Sequence, residues 1–187
     1  MASLKFLAFA GSARRESFNR KLLAEVVEAV RAEGAEVAVV ELGSLAIPFY
    51  NGDLEEQSGL PEAVVQLVAQ GRASTGYIIA SPEYNSSITP LLKNAIDWMS
   101  RSDDDPFEGK VAAVCSASPG PFGAVRSAML VRQILSNIGT IVVPAQCTVS
   151  KAHEAFDELG KAKDARTQKA VKGLAHALVT TATKLAV

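Results

Sequence analysis

Apolar residues along this chain alternate between short unbroken runs and helical spacings. Leu4 to Ala10 is an apolar run ending at Gly11-Ser12, which reads as a buried strand. Leu23, Val26, Val27 and Val30 then fall at i, i+3, i+4 and i+7, one face of a helix that Gly34 stops. Glu36 to Leu42 is a second, valine-rich strand. Ile47 to Gly59 is polar and broken by Pro48, Gly52 and Gly59, so it reads as irregular. Pro61 opens a helix with Val64, Leu67 and Val68 on its inner face, and Gly76 to Ser81 is a third strand. Thr89-Pro90 is an N-cap with proline at the first helical position, ahead of Leu92, Ala95, Ile96 and Met99. Lys110 to Ser116 is a fourth strand, and Val131, Ile134, Leu135 and Ile138 mark a further helix. Ile141 to Pro144 is a short fifth strand. A last helix runs from about Ala162 to Leu185, with Val171, Leu174, Ala175 and Leu178 inward.

Strands alternating with helices predict a parallel sheet covered on both faces. Five strands match a flavodoxin-like three-layer α/β sandwich of order 2-1-3-4-5. In that order ligands bind outside the carboxyl ends of the strands, at the switch between the first and third. The loops placed there are Gly11 to Asn19, Pro82 to Ile88 and, beside them, Ala117 to Gly123. They carry the least ordinary residue choices in the chain.

The first loop reads Gly-Ser-Ala-Arg-Arg-Glu-Ser-Phe-Asn. Gly11 allows the turn, Ser12 and Ser17 offer hydroxyl donors, Asn19 offers an amide, and the Arg14 guanidinium can grip two phosphate oxygens. The helix that follows points free N–H groups at the same spot. The competing reading is a Ser17 helix cap flanked by solvated arginines. No Gly-x-x-x-x-Gly-Lys-Ser/Thr or Gly-x-Gly-x-x-Gly occurs here, which excludes a nucleoside triphosphatase loop and disfavours a dinucleotide fold. In the second loop Pro82 stiffens the exit from the strand, the Tyr84 ring can pack on a flat ligand, and Asn85 can pair with a heteroaromatic edge. An ordinary turn is the alternative. In the third, Ser116 to Gly123, small residues would let the backbone approach a ring, or would simply connect strand to helix.

Composition changes this picture little. The 187 residues suit one domain spanning 1–187, with 48% hydrophobic and 21% charged residues. A net charge of −1 gives no case for nucleic acid or an anionic membrane. The run Asp103 to Asp105 reads as a solvated turn before Pro106. Cys115 and Cys147 read as core residues, not as a disulfide framework or zinc site. His153 and His176 lie away from the loops, with no metal cluster around them. Lys5 interrupts the first apolar run, and Arg14 and Arg15 follow it. That order does not fit a signal peptide, and a cytoplasmic protein is expected.

Three segments together carry a family resemblance: Gly-Ser-x-Arg-x-x-Ser-x-Asn at 11 to 19, Pro-Glu-Tyr-Asn at 82 to 85, and Leu-Lys-Asn-Ala-Ile-Asp-Trp at 92 to 98. Over residues 4 to 145 the chain resembles the NADPH-dependent FMN reductases, which include bacterial chromate and quinone reductases and some azoreductases. The resemblance implies that Ser12, Arg14, Ser17 and Asn19 hold the FMN phosphate, with Gly11 and Phe18 in the same loop. Pro82, Glu83, Tyr84 and Asn85 would contact the ribityl chain and ring, with Ser86 beside them. Ser116 and the backbone near Gly120 would border the ring's far side. Trp98 reads as core or interface filler, and Asn94 and Asp97 as residues that steady the neighbouring loop. The implied activity is hydride transfer from NADPH or NADH to flavin N5. A quinone, chromate, azo compound or free flavin then takes the electrons in a ping-pong exchange. No side chain need act as acid or base, so no catalytic residue is named. A homodimer or homotetramer is implied. A flavodoxin-type electron carrier and a flavin-free nucleotide-binding or sensor module are the alternatives.

Overall fold

The computed structural model describes residues 3–185. Its elements are β1 (Lys5–Ala10), α1 (Phe18–Ala32), β2 (Glu36–Val40), a 3-10 turn (Leu42–Ser44), α2 (Gly52–Ser58), α3 (Glu62–Ala73), β3 (Gly76–Ala80), α4 (Pro90–Met99), β4 (Val111–Ala117), α5 (Val125–Asn137), β5 (Ile141–Val142), β6 (Cys147–Val149), α6 (Ala152–Ala155) and α7 (Ala165–Leu185). The sheet is parallel with order β2-β1-β3-β4-β5, and β6 pairs with β4 beyond β5.

The inner strands β1, β3 and β4 are buried on both faces, as near-continuous apolar runs require. Their alternation divides the interior in two. Phe6, Ala8, Ile78, Ala113 and Cys115 face one way and meet α1 and α7. Leu7, Phe9, Tyr77, Ile79 and Val114 face the other way and meet α3, α4 and α5. Each amphipathic helix therefore lays its apolar stripe on one side of the sheet, which is the three-layer sandwich expected from the sequence.

Three local features differ from the sequence reading. The segment expected to be irregular contains α2, a two-turn helix with no buried residue. The Asn51 side chain caps it by accepting from the Asp53 N–H at 2.9 Å. Glu55 anchors it, accepting from the Tyr50 hydroxyl at 2.8 Å and from Arg101 Nε at 3.0 Å. A helix with no apolar stripe leaves no period in the sequence. The fifth strand is also split. Ile141 pairs with Val111, whereas Cys147 pairs with Cys115, a shift of two residues in register. Pro144 lies in the gap and has no N–H to give a ladder. Finally, α7 starts at Ala165 because the Asp164 carboxylate accepts from the Thr167 N–H at 2.8 Å and sets the helix start there. No helix among the described residues is long and apolar enough to cross a membrane.

Candidate functional site

The sheet itself brings the three loops together. At their carboxyl ends Ala10 pairs with Ala80, and Ala80 with Cys115. The ladder continues one step into the loops: Gly11 N–H donates to Ala80 O and Ser81 N–H to Cys115 O, both at 2.9 Å. All three loops thus leave one edge side by side.

Gly11 is needed here for close approach, not for an unusual turn. A Cβ on Gly11 would lie 2.9 Å from both Leu92 Cβ and Thr89 Oγ1. That proximity lets the buried Thr89 hydroxyl donate to Gly11 O at 2.7 Å while accepting from the Leu92 N–H at 3.3 Å. Thr89 is thus both the cap of α4 and the tether of the first loop. Its capping role was legible in the sequence; the tether was not.

Ser12 and Ser17 are buried as residues, at 3% and 5% exposure. Ser12 Oγ accepts from the Arg14 N–H at 3.4 Å. Ser17 takes the N-cap position of α1 with extended backbone, yet its side chain makes no capping bond. The capping bond of the competing reading is therefore not made and the hydroxyl is uncommitted, although Arg14 and Arg15 are exposed as that reading expected. Phe18 and Asn19 follow as the first helical residues, whose N–H groups have no partner within a helix. The neighbouring cations are engaged, Arg20 with Glu41 and Lys21 with Glu16 at 3.6 Å. Among the described residues no ion pair holds the exposed Arg14. A cleft of about 350 Å³ adjoins this loop, walled by Arg15, Ser17, Lys21 and the segment 158–161.

Asn19 is placed differently from a free phosphate donor. Its Nδ2 donates to Ala117 O at 2.8 Å and its Oδ1 accepts from the Ala117 N–H at 2.9 Å. With Asn19 at 4% exposure, this pair is a buried clasp between the first loop and the end of β4. One amide hydrogen remains for another acceptor.

The second loop ends in a tight turn. Tyr84 and Ser87 exchange both backbone hydrogen bonds at 3.0 Å. Asn85 and Ser86 both have positive φ, 50° and 65°, the pattern of a type I′ turn. Asparagine tolerates that region; serine is strained in it. Tyr84, at the start of the turn, is 48% exposed. Pro82 is buried, and its carbonyl accepts from the Ser127 hydroxyl at 2.7 Å. The Glu83 carboxylate is taken by Arg126, a residue the sequence reading missed.

In the third loop Ser116 is fully buried and donates to Gly123 O at 2.7 Å. Its hydroxyl therefore shapes the loop and does not border the opening. Gly120 N–H is held by Ser118 Oγ at 3.1 Å, and Gly120 O by the Lys151 N–H at 3.2 Å. Gly123 and Ala124 are both left-handed, which lets Gly123 press on the backbone of Val149 and Ser150. Beneath this loop Cys115 and Cys147 are free and buried, and burial pushes the Cys147 thiol up to about 12.

Outside the loops, Trp98 is fully buried and donates from Nε1 to Pro48 O at 2.8 Å. Asn94 also donates to Pro48 O at 2.8 Å and accepts from the Tyr50 N–H, so it does steady a neighbouring segment. His153 and His176 are exposed beside Glu154 and Glu33.

The assembled site offers an uncommitted hydroxyl, a guanidinium and free helix N–H groups at one end. At the other, the exposed Tyr84 and the small-residue third loop leave neighbouring strands. These residues fit a flat ring carrying a terminal phosphate.

Comparison with known proteins gives the family. The family described as NADPH-dependent FMN reductase matches residues 4–154. An NAD(P)H-dependent FMN reductase of Pseudomonas aeruginosa is 36% identical over 177 residues, covering 94% of this chain and 93% of that protein. A quinone reductase of Escherichia coli is 37% identical over 141 residues, covering 75% and 73%. The solved structure of the flavoenzyme NAD(P)H:(acceptor) oxidoreductase FerB from Paracoccus denitrificans superposes with a TM-score of 0.80 at 30% identity, covering 97% and 98%.

Proposed function

The chain belongs to the NADPH-dependent FMN reductase family and is an FMN-dependent NAD(P)H oxidoreductase; on that premise we propose that its three loops hold FMN and that a quinone is its acceptor. Arg14, Ser12, Ser17 and the first-turn N–H groups of α1 would bind the phosphate, with Gly11 and Phe18 framing them and Asn19 holding the loop to β4. Tyr84, Asn85 and Ser86 would meet the ribityl chain and ring. Loop 3, with Ser116 shaping it and Gly120 at its surface, would close the far side. The observation that carries this is the Ser17 hydroxyl, placed at the N-terminus of α1 without a capping bond, in a loop whose exposed Arg14 has no ion-pair partner among the described residues.

Bound flavin supplies the hydride-accepting and electron-donating chemistry. The protein's share is binding and orientation, and no side chain of the loops is needed as acid or base. Nicotinamide and acceptor would use the opening beside Tyr84 in turn, which gives a ping-pong rate law. The exposed rings of Tyr84 and Phe122 (48% and 62%) support a homodimer or homotetramer whose neighbouring subunit covers the opening. Chromate, azo compounds and free flavin fit the same opening. Two free thiols support a cytoplasmic location.

Arg14→Ala tests the phosphate assignment. It removes charge-assisted bonds worth roughly 1.5–3 kcal/mol each, so FMN affinity should fall about tenfold or more. NADPH oxidation at limiting FMN should fall with it. Unchanged FMN affinity in this variant would refute the assignment.

A further inference from the structure

The second and third loops are joined by a contact that the flavin reading does not use. Glu83 leaves loop 2 with its side chain only 8% exposed. Its Oε1 accepts from Arg126 Nε at 2.7 Å and from Nη2, and its Oε2 accepts from the Arg126 backbone N–H at 3.2 Å. Arg126 is the second residue of α5, whose N-cap, Ala124, has no side chain able to cap it. A carboxylate from another loop therefore does the capping, at the positive end of the helix. Next along α5, the Ser127 hydroxyl donates to Pro82 O. The Arg126 guanidinium also lies 5.4 Å from the centre of the Phe122 ring in loop 3.

The first turn of α5 thus grips Pro82 and Glu83 from one side and Phe122 from the other. Beyond Glu83, the hydrogen bonds of the Tyr84–Ser87 turn among the described residues are the two that close the turn itself. The turn is therefore held from its N-terminal side by the grip at residues 82 and 83, and from its other side by Thr89.

We propose that Arg126 is a positioning residue for FMN, setting the gap between loops 2 and 3 by clamping the Glu83 carboxylate, and that Glu83 acts through Arg126 and not on the ligand. This rests on the flavin reading given above. The fork geometry matters as well as the charge, because two guanidinium nitrogens and one backbone N–H converge on a single carboxylate.

The test is a double-mutant cycle on FMN binding by flavin-depleted full-length protein, followed by the quenching of FMN fluorescence. Glu83→Ala, Arg126→Ala and the double variant should each weaken binding by the same factor, about tenfold, because each removes the same clamp. The visible absorption band of the residual bound flavin should shift in the same way in all three. Arg126→Lys keeps the charge without the fork and should recover only part of the affinity. It also serves as the readout if an alanine variant fails to fold. The clamp is overturned if Glu83→Ala weakens binding while Arg126→Ala does not, since the carboxylate would then act on the ligand directly. It is equally overturned if the double variant shows the product of two independent losses, or if Arg126→Lys binds like wild type. Failure of the wild-type apoprotein to take up FMN overturns the flavin reading, and the clamp with it. A wild type that binds while Arg126→Ala is unaffected overturns the clamp alone.

Discussion

Replacing Asn19 separates a structural clasp from a phosphate ligand. Asn19→Ala leaves the Ala117 N–H and C=O unpaired at a site where Asn19 is 4% exposed and Ala117 3%. Each buried group left without a partner costs roughly 1–3 kcal/mol, so the pair should cost about 2–6 kcal/mol. For a chain of this length each kcal/mol lowers Tm by about 2–4 °C, which gives a fall of about 10 °C. The assay is thermal unfolding of the flavin-free protein, where ligand linkage contributes nothing. Asn19→Asp sharpens the test. Its carboxylate can still accept from the Ala117 N–H but would face Ala117 O without a proton between them. Burial and that opposed carbonyl outweigh the Ala117 N–H and the N-terminus of α1, and raise the folded-state pKa above the unfolded value of about 3.9. The folded state then holds more protons than the unfolded one, so stability falls as pH rises between the two values. The aspartate variant should therefore be weakest at neutral pH and gain on wild type as pH drops towards 4. An alanine variant melting within about 2 °C of wild type would refute the clasp, as would an aspartate variant whose deficit is the same at both ends of that range.

Other residues give independent checks. Ser86→Gly relieves a left-handed serine at φ 65° and should stabilise the protein by about 1 kcal/mol in urea unfolding; a loss of stability would mean that the turn is not strained. Cys115 and Cys147 are buried, with their thiols pushed well up. Under native conditions at about pH 8 a maleimide should modify neither, and both should react on unfolding, as read by mass.

Much of this was readable from the chain because it is stated locally. The apolar run of β1, the i, i+3, i+4, i+7 set of α1 and the Thr89-Pro90 start of α4 each fix their element within a few neighbours. Sheet order followed from the alternation, and it placed the three loops on one edge. What stayed hidden depends on distant partners. Asn19 and Ala117 are 98 residues apart, and Glu83 and Arg126 are 43 apart. No local pattern links them, so the protein partners of Asn19 and Glu83 became visible only in the fold. The Ser116 contact was hidden for another reason: its hydroxyl meets Gly123 O within the same loop, where Gly123 and Ala124 turn left-handed. A lone Gly-Ala in sequence does not announce that. The split of β5 from β6 had one visible cue, Pro144, which the sequence reading took as the end of the strand when it marks an interruption.

That interruption also governs which insertions and deletions the far edge can absorb. The gap between β5 and β6 adds two residues relative to β4, and two is the period of a strand. Val143, Cys147 and Val149 therefore all face the interior shared with α1 and α7. A single residue gained or lost between Val143 and Cys147 would turn Cys147 and Val149 outward and bring Thr148 in. Loss of two would splice the halves into one uninterrupted strand with every side chain keeping its face. Natural or engineered length variation in this segment should therefore come in even steps, making it a parity filter on how the chain can diverge.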